Sequence, residues 1–293
     1  MRIAILGGSG KMGGWLTRHF LKQHHTIIIA DPKQPENGEH KDSAIEFAEN
    51  NISAVSDADV VFISVPLDYT SEVIREVTPH MKRDSILCEI STTKTTVHAT
   101  LREINKADIH ILSIHPLFGH EESTMKKRFA LIPIRHPGRE HAMVDSLFPD
   151  SEVIEIEVEK HDRMMALTLS VPYFINAVLG SIFKNEDIEM MERLSGTTFA
   201  IQFMLMGSIM SHSSNFHTSL LKENDFTKGV LAKFHFETDR ALKLFSNDVE
   251  SYENWYQQTQ SKLGEIISLT SKYNEMYRIL ETRAELSDQE VEG

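Results

Sequence analysis

The sequence predicts an α/β first half, built on a doubly wound parallel sheet, followed by an all-α second half. Three observations carry this expectation. Seven short apolar runs alternate with helically spaced segments up to about residue 158. A glycine-rich turn follows the first run directly. From residue 159 onward no β-rich run bounded by turns recurs, and Pro172 is the last proline of the chain.

In chain order the runs are "RIAIL", "TIIIA", "VVFISV", "SILCEI", "IHILSI", "FALIPI" and "EVIEIEV". They are short, rich in β-branched residues and mostly not alternating, as expected of strands buried on both faces of a parallel sheet. "KMGGWLTRHFLKQ" and "YTSEVIREVTPHM" lie between them with helical spacing, so strand and helix alternate as in a doubly wound sheet. In the second half, Trp255, Thr259, Leu263, Ile266, Thr270, Tyr273, Tyr277 and Leu280 recur at steps of three and four. That spacing predicts one long amphipathic helix over residues 252–280. "FTKGVLAKFHFETDRALKLF" repeats the pattern more loosely. "IQFMLMGSIM" is apolar on every side and is expected in a core or a subunit interface. The last residues, "ELSDQEVEG", carry four acids and no base and read as a solvated tail. The expected organisation is therefore a dinucleotide-binding domain over 1–158, a helical substrate and dimerisation domain over 159–285, and an acidic tail over 286–293. The apolar helix surface of the second half predicts a homodimer.

Thirty basic residues against 43 acidic ones give a net charge of −13, which argues against a nucleic-acid or anionic-membrane surface. No apolar run is read as long enough to span a bilayer, which takes about 18–20 residues. "MRIAIL" opens as a strand without the features of a signal peptide, so a cytoplasmic protein is expected. Cys88 is the single cysteine, so neither a disulfide framework nor a thiolate metal cluster is expected, and no metal site is assigned. Inside "SILCEI", Cys88 reads as a small buried strand residue.

The first strand runs into "GGSGKMGG", where Gly8, Gly10 and Gly13 form G-x-G-x-x-G around Ser9, Lys11 and Met12, and a helix opens at once. Strand, motif and helix in this order are the context of a Rossmann-type dinucleotide site. Gly8 allows the tight turn, Gly10 lets the backbone approach a pyrophosphate, and Gly13 lets helix and strand pack closely. The helix N-terminus then faces the phosphates with its N–H groups. "TIIIAD" ends at Asp31, 23 residues after Gly8, where a carboxylate can bond both ribose hydroxyls and repel a 2′-phosphate. NAD is therefore the expected cofactor, while Lys33 leaves room for NADP.

Three later strands deliver polar residues to the same edge. "VVFISV" ends in Ser64, Val65 and Pro66, on the loop expected to pass the nicotinamide. "SILCEI" is followed by "STTKTT", with Thr92 and Lys94 as a hydroxyl and a cation; Thr92 or Thr93 reads equally well as a helix cap. "HILSI" delivers His115 immediately before Pro116, which is expected to end strand pairing and leave the imidazole at the first position of a loop. That edge is where open α/β sheets bind ligands.

"GGSGKMGGW", "SVPLDYTSEVI", "EISTTK", "IHPLFG" and "EKHDRMMA", in this order, resemble the prephenate dehydrogenase family. The resemblance implies an N-terminal NAD(P) domain, a dimerising helical domain, and oxidative decarboxylation of prephenate to 4-hydroxyphenylpyruvate in tyrosine synthesis. It places the catalytic base on His115, the assisting hydroxyl and lysine on Thr92 and Lys94, and a second histidine on His161. Two positions depart from the pattern. Ala200 stands where many members carry a carboxylate-binding arginine, and Tyr173 where many carry a histidine. With the arginine missing, His161 and Lys94 are the expected substrate anchors, and Arg163 is a further cation nearby. The alternatives are arogenate or another cyclic hydroxy acid as substrate, and a nucleotide sensor that lacks turnover.

Overall fold

A computed structural model describes residues 1–33, 43–106, 108–121 and 123–292, with side chains to residue 283. The chain forms two compact units, residues 1–166 with 215–226, and residues 167–214 with 227–293. Sequence reasoning expected two contiguous halves meeting at 158/159. The first unit instead takes in a later helix, because Ser219 Oγ donates to Asp68 at 3.0 Å and Asn224 Nδ2 donates to the Asp162 carbonyl at 2.7 Å.

The first unit is built on eight strands: β1 (Arg2–Leu6), β2 (Thr26–Ala30), β3 (Ile45–Phe47), β4 (Val60–Ile63), β5 (Ile86–Glu89), β6 (His110–Pro116), β7 (Arg128–Leu131) and β8 (Glu152–Glu155). They lie in the order β3-β2-β1-β4-β5-β6-β7-β8. All neighbours are parallel except β6 and β7. The order reverses at β1, which pairs with β2 on one side and β4 on the other, so the turn after β1 sits at the switch point of the sheet.

Successive β1 side chains feed two cores, as strand geometry requires. Ile3 and Ile5 pack with Trp15, Leu16 and Phe20 of α1 (Lys11–Lys22) and with Val144 and Leu147 of α5 (Pro137–Leu147). Ala4 and Leu6 pack on the other face against α2 (Asn51–Val55), α3 (Thr70–Val77) and α4 (Thr95–Glu103). Each fully buried large aliphatic side chain contributes about 1.5–3 kcal/mol, so these two layers hold the central strands in place and fix where their carboxyl ends lie.

Three strand expectations need correction. β3 was not foreseen, since three residues with two exposed side chains leave little apolar signal. β7 is antiparallel to β6, so the sheet is mixed. β8 is largely exposed, with Glu152, Ile154 and Glu155 facing outward, because it is an edge strand and not a doubly buried one.

The second unit begins within a continuous helical run. α6 (Val158–Met165) passes through a π-helical segment, Ala166–Ser170, into α7 (Val171–Phe183). Pro172 has no N–H for the regular helical bond of its turn, and a locally wider turn accommodates the loss. By length and composition the run Val158–Phe183 can cross a membrane, contrary to the expectation that no segment reaches that size. Serine, threonine, asparagine and tyrosine interrupt its apolar pattern, yet residues 164–183 carry no charge. α7 packs against α9 (Thr197–Met210), where Gly180 lies beside the Met206 and Met210 sulfurs. Buried Asn176 accepts a 2.7 Å bond from Gln202 of α9. α8 (Ile188–Arg193), α10 (Ser214–Lys222) and α11 (Thr227–Asn247) complete the order up to residue 247.

The helix expected over 252–280 is two helices, α12 (Val249–Gly264) and α13 (Leu269–Glu292). Gly264 ends the first, and the Ser268 hydroxyl caps the second by accepting the Ser271 N–H at 3.2 Å. The backbone of the expected acidic tail is helical as far as Glu292, while its side chains and Gly293 lie outside the described residues. Within "IQFMLMGSIM", Met206 and Ile209 are buried, whereas Leu205 and Met210 are exposed.

Candidate functional site

The glycine turn follows from steric limits. Gly7 has φ +84°, and a Cβ there would lie 2.5 Å from the Ser64 carbonyl oxygen, so only glycine lets the turn pass the end of β4. A Cβ on Gly13 would meet the Gly7 oxygen at 2.3 Å, so α1 can sit this close to β1 only without one. Gly10 holds the N-cap position of α1, where no side chain among the described residues caps the helix and no acid occupies its first turn. The leading N–H groups, on Lys11, Met12 and Gly13, therefore form an anion-binding end suited to a pyrophosphate. Asp31 follows β2 directly and is oriented by two backbone donors, Ser9 N–H at 3.1 Å and Lys33 N–H at 2.8 Å. A carboxylate so held keeps lone pairs for ribose hydroxyls. Ser64 donates its N–H to the Leu6 carbonyl at 2.8 Å, which ties the Ser64–Val65–Pro66 loop to the glycine turn.

His115 lies within β6, not at the start of a loop. The pairing passes through Pro116, and the Leu117 N–H resumes the ladder by donating to the Arg128 carbonyl at 2.9 Å. A proline lacks only its own donor, so an antiparallel neighbour can be kept past it. Relative to the parallel strands, His115 is nevertheless beyond the edge, since the last β5–β6 pair is Glu89 with Ser113. The side chain is 6% exposed. Burial first, and then the positive charge of Lys94, holds the imidazole well below its ordinary value of 6.5, so it is neutral at pH 7.

Its partner is His161 rather than Thr92. His115 Nδ1 and His161 Nε2 are 3.1 Å apart, and the rings meet nearly at right angles, at 77°. His161 Nδ1 faces Asp162 Oδ1 at 2.8 Å. Asp162 in turn caps α4 from outside it. Its carboxylate accepts the Lys94 N–H at 2.9 Å, the Thr95 N–H at 2.8 Å and the Thr95 hydroxyl at 2.7 Å. Burial alone would raise the Asp162 carboxyl, but the bonds from His161, Thr95 and the α4 backbone outweigh it and leave the group ionised and below its usual range. The α4 cap is thus neither Thr92 nor Thr93 but a carboxylate 67 residues away from Thr95.

Lys94 occupies a different place from the one sequence reasoning gave it. Its side chain is fully buried, and Nζ donates to Glu89 Oε1 and to the Ile114 carbonyl, each at 2.6 Å. Glu89 also accepts the hydroxyls of Ser91 and Ser113 and the Ser91 N–H. Lys94 is therefore committed to an internal carboxylate and to the residue before His115, and is not a cation presented to a substrate. His161 likewise has both ring nitrogens engaged and is 1% exposed, so it does not offer a donor for a substrate carboxylate. Arg163 is exposed on α6. Thr92 is half-buried in the loop between β5 and α4. Tyr173 and Ala200 belong to the second unit, where the Tyr173 ring lies 5.6 Å from that of His212 and burial raises its hydroxyl.

Glu89, Asp162 and Gly7 were missed. Glu89 had a signal, a lone acid within an apolar strand run, which demands a buried partner. Cys88 beside it is a buried thiol, as expected.

A family model described as prephenate dehydrogenase, nucleotide-binding domain, matches residues 17–131. The chain is 24% identical over 243 residues to a probable arogenate/prephenate dehydrogenase of Methanocaldococcus jannaschii, covering 80% of this chain and 54% of the relative. It is 23% identical over 251 residues to the T-protein of Haemophilus influenzae, covering 84% and 63%. It therefore spans a little over half the length of these curated relatives. Among solved structures, arogenate dehydrogenase of Synechocystis aligns with a TM-score of 0.66 at 17% identity, over 91% of this chain and 100% of that one. Prephenate dehydrogenase of A. aeolicus, in complex with hydroxyphenyl propionate and NAD+, aligns at 0.70 and 17% identity, over 91% and 98%. At these identities the structures establish a shared fold.

Proposed function

We propose that the chain belongs to the prephenate dehydrogenase family, whose nucleotide-binding domain model matches residues 17–131, and that it catalyses the NAD-dependent oxidative decarboxylation of prephenate to 4-hydroxyphenylpyruvate. The observation that carries the proposal is a buried histidine, held neutral at the carboxyl edge of a sheet whose switch point bears a glycine turn and an open helix end. The α1 N-terminus and Gly8–Gly13 would hold the cofactor pyrophosphate, and Asp31 the adenosine ribose, which favours NAD over NADP. NAD, when bound, supplies the hydride acceptor.

The remaining chemistry falls to the protein. Hydride departs from the ring carbon that bears the substrate hydroxyl, so that hydroxyl must give up its proton. A neutral His115 can take it, a role typically worth ~10²–10⁴-fold in rate. Loss of CO₂ then makes the ring aromatic, and the site need only hold the geometry for hydride transfer. Lys94 acts at one remove, by fixing the carbonyl before His115 and adding its charge to the burial that keeps the imidazole unprotonated.

Arogenate is the second reading, and one observation favours it. Arogenate carries an ammonium group where prephenate carries a keto group. A chain with Ala200 in place of the family's arginine, and with Lys94 buried against Glu89, offers less fixed positive charge to a dianion. Tyr173, which stands where many members of the family carry a histidine, is proposed as a substrate-binding residue. A cofactor-reduction assay with prephenate and arogenate, each with NAD and with NADP, tests all of these assignments. No reduction with any of the four combinations would refute the proposed function and favour a nucleotide sensor.

The enzyme is further proposed to work in the cytosol as a homodimer through the helical unit. That unit leaves Phe236, Leu242, Phe245 and Ile266 each more than 60% exposed, and surface of this kind marks an interaction face. Light scattering that gives a single-chain mass at micromolar concentration would overturn the dimer.

A further inference from the structure

We propose that His161 and Asp162 fix which nitrogen of His115 is bare and then hold the proton that His115 removes. This deepens the dehydrogenase reading and rests on it for its kinetic consequences, but its first element is a matter of hydrogen-bond logic in the first unit alone. Asp162 is ionised and already accepts three N–H or O–H groups of Lys94 and Thr95. A carboxylate has only lone pairs to offer, so the His161 nitrogen facing it, Nδ1, must carry a hydrogen. In neutral His161 the other nitrogen, Nε2, is then a lone pair. It faces His115 Nδ1 at 3.1 Å, so that nitrogen must donate. Neutral His115 thus carries its hydrogen on Nδ1 and leaves Nε2 as the base. The opposite tautomer would set two lone pairs against each other 3.1 Å apart, too close for a water to come between them.

The same chain of contacts gives the proton a path. As the substrate O–H bond breaks, its proton binds His115 Nε2. The Nδ1 proton of His115 then moves to His161 Nε2, so that His115 is neutral again and the positive charge rests beside the Asp162 carboxylate. The hydride leaves for the acceptor of the proposed reaction. When the ring carboxylate departs as CO₂, its bonding pair enters the ring and the substrate oxygen becomes a phenolate. That oxygen recovers the proton by the reverse path, and no net proton is lost to solvent. The charged and titratable groups that face the pair are Lys94 toward His115 and Asp162 toward His161. His161 is thus a positioning residue, not a substrate anchor.

Full-length protein with ¹⁵N-labelled histidine rings, read by long-range ¹H–¹⁵N correlation near pH 8, tests the tautomer directly, with His115→Asn and His161→Asn supplying the assignments. The expected result is hydrogen on Nδ1 and none on Nε2 for both residues. A hydrogen on His115 Nε2, or a bare His161 Nδ1, would overturn the proposal. In kinetics, His161→Asn is expected to lower kcat by on the order of 10²-fold, the low end for lost acid–base function, with the substrate KM and NAD affinity little changed. His161→Gln has an oxygen to accept from His115 and an N–H₂ to donate to Asp162. It should keep the wild-type tautomer of His115 and recover part of kcat, because it orients the base but stores no proton. A raised KM at unchanged kcat in either variant would return His161 to the anchoring role and refute the proposal. Failure of every cyclohexadienyl acid to turn over would sink the dehydrogenase reading, whereas the tautomer is decided by the spectra independently.

Discussion

Replacing Lys94 by methionine separates a buried structural cation from one that serves the substrate. Methionine keeps the apolar stem and much of the volume but removes the ammonium, leaving Glu89 buried without its cation and the Ile114 carbonyl without its donor. Breaking a buried ion pair by deleting one partner costs ~3–5 kcal/mol. Glu89 retains the hydroxyls of Ser91 and Ser113 and the Ser91 N–H, so the lower end, about 3 kcal/mol, applies. At roughly 2–4 °C per kcal/mol for a unit of this size, the thermal transition should fall by about 6–12 °C. Scanning calorimetry of the cofactor-free protein reads the shift. The double variant Lys94→Met/Glu89→Gln should recover most of it, because the uncompensated charge is gone. An unchanged transition together with a weakened substrate KM would refute the reasoning, because it would mean that Lys94 reaches the substrate and not Glu89.

Other expectations follow from the same geometry. Gly13→Ala would press a methyl against the Gly7 carbonyl and the Gly8 Cα, both backbone; a stability loss of ~1–3 kcal/mol and NAD binding weaker by at least about tenfold, near 1.4 kcal/mol, are expected by calorimetry. Asp31→Ala should narrow the preference for NAD over NADP, and a wild type that already binds NADP more tightly would contradict the assignment. His115→Asn should lower kcat by ~10²–10⁴-fold with NAD affinity retained. The folded state holds His115 neutral, while the unfolded chain takes up a proton near pH 6.5. Wild-type stability should therefore fall as pH drops below 6.5, and the variant should show a weaker dependence, since His19, His25 and His110 are also held below their ordinary value by burial; identical pH profiles would argue against a buried neutral imidazole.

The glycine turn and its surroundings were legible because their requirements are local. A turn marked by Gly8, Gly10 and Gly13, a helix that starts at once and an acid after the second strand all lie within one stretch of chain, although the glycine of positive φ is the neighbouring Gly7. The position of His115 was legible for a similar reason, as a histidine near the end of a buried strand. What surrounds it was not. Asp162 meets α4 across 67 residues of sequence, and nothing in "KHD" says which helix its carboxylate caps. Lys94 looked available because a lysine after a strand end is usually solvated, and only the partner in "SILCEI", five residues earlier, shows that it is spent. Helical spacing over 252–280 was real, but a period does not report a break. Gly264 and Ser268 stop one helix and start the next while the three- and four-residue steps continue almost in phase.

The discontinuity of the first unit has a consequence for how the chain is made. Its sheet, glycine turn and both histidines are complete once residue 166 has been synthesised, but residues 215–226, which tie down Asp68 and the Asp162 carbonyl, come later. At ~5–20 residues per second the interval from residue 166 to 226 lasts roughly 3–12 s, far longer than a small core needs to collapse. The nucleotide-binding sheet thus has time to form while the helix carrying His161 and Asp162 still lacks its Asn224 clasp. A chain truncated before residue 226 would shape the glycine turn but leave its histidine pair without the Asn224 clasp. The glycine turn would then be shaped earlier in the life of the chain than the alignment of His115 with His161.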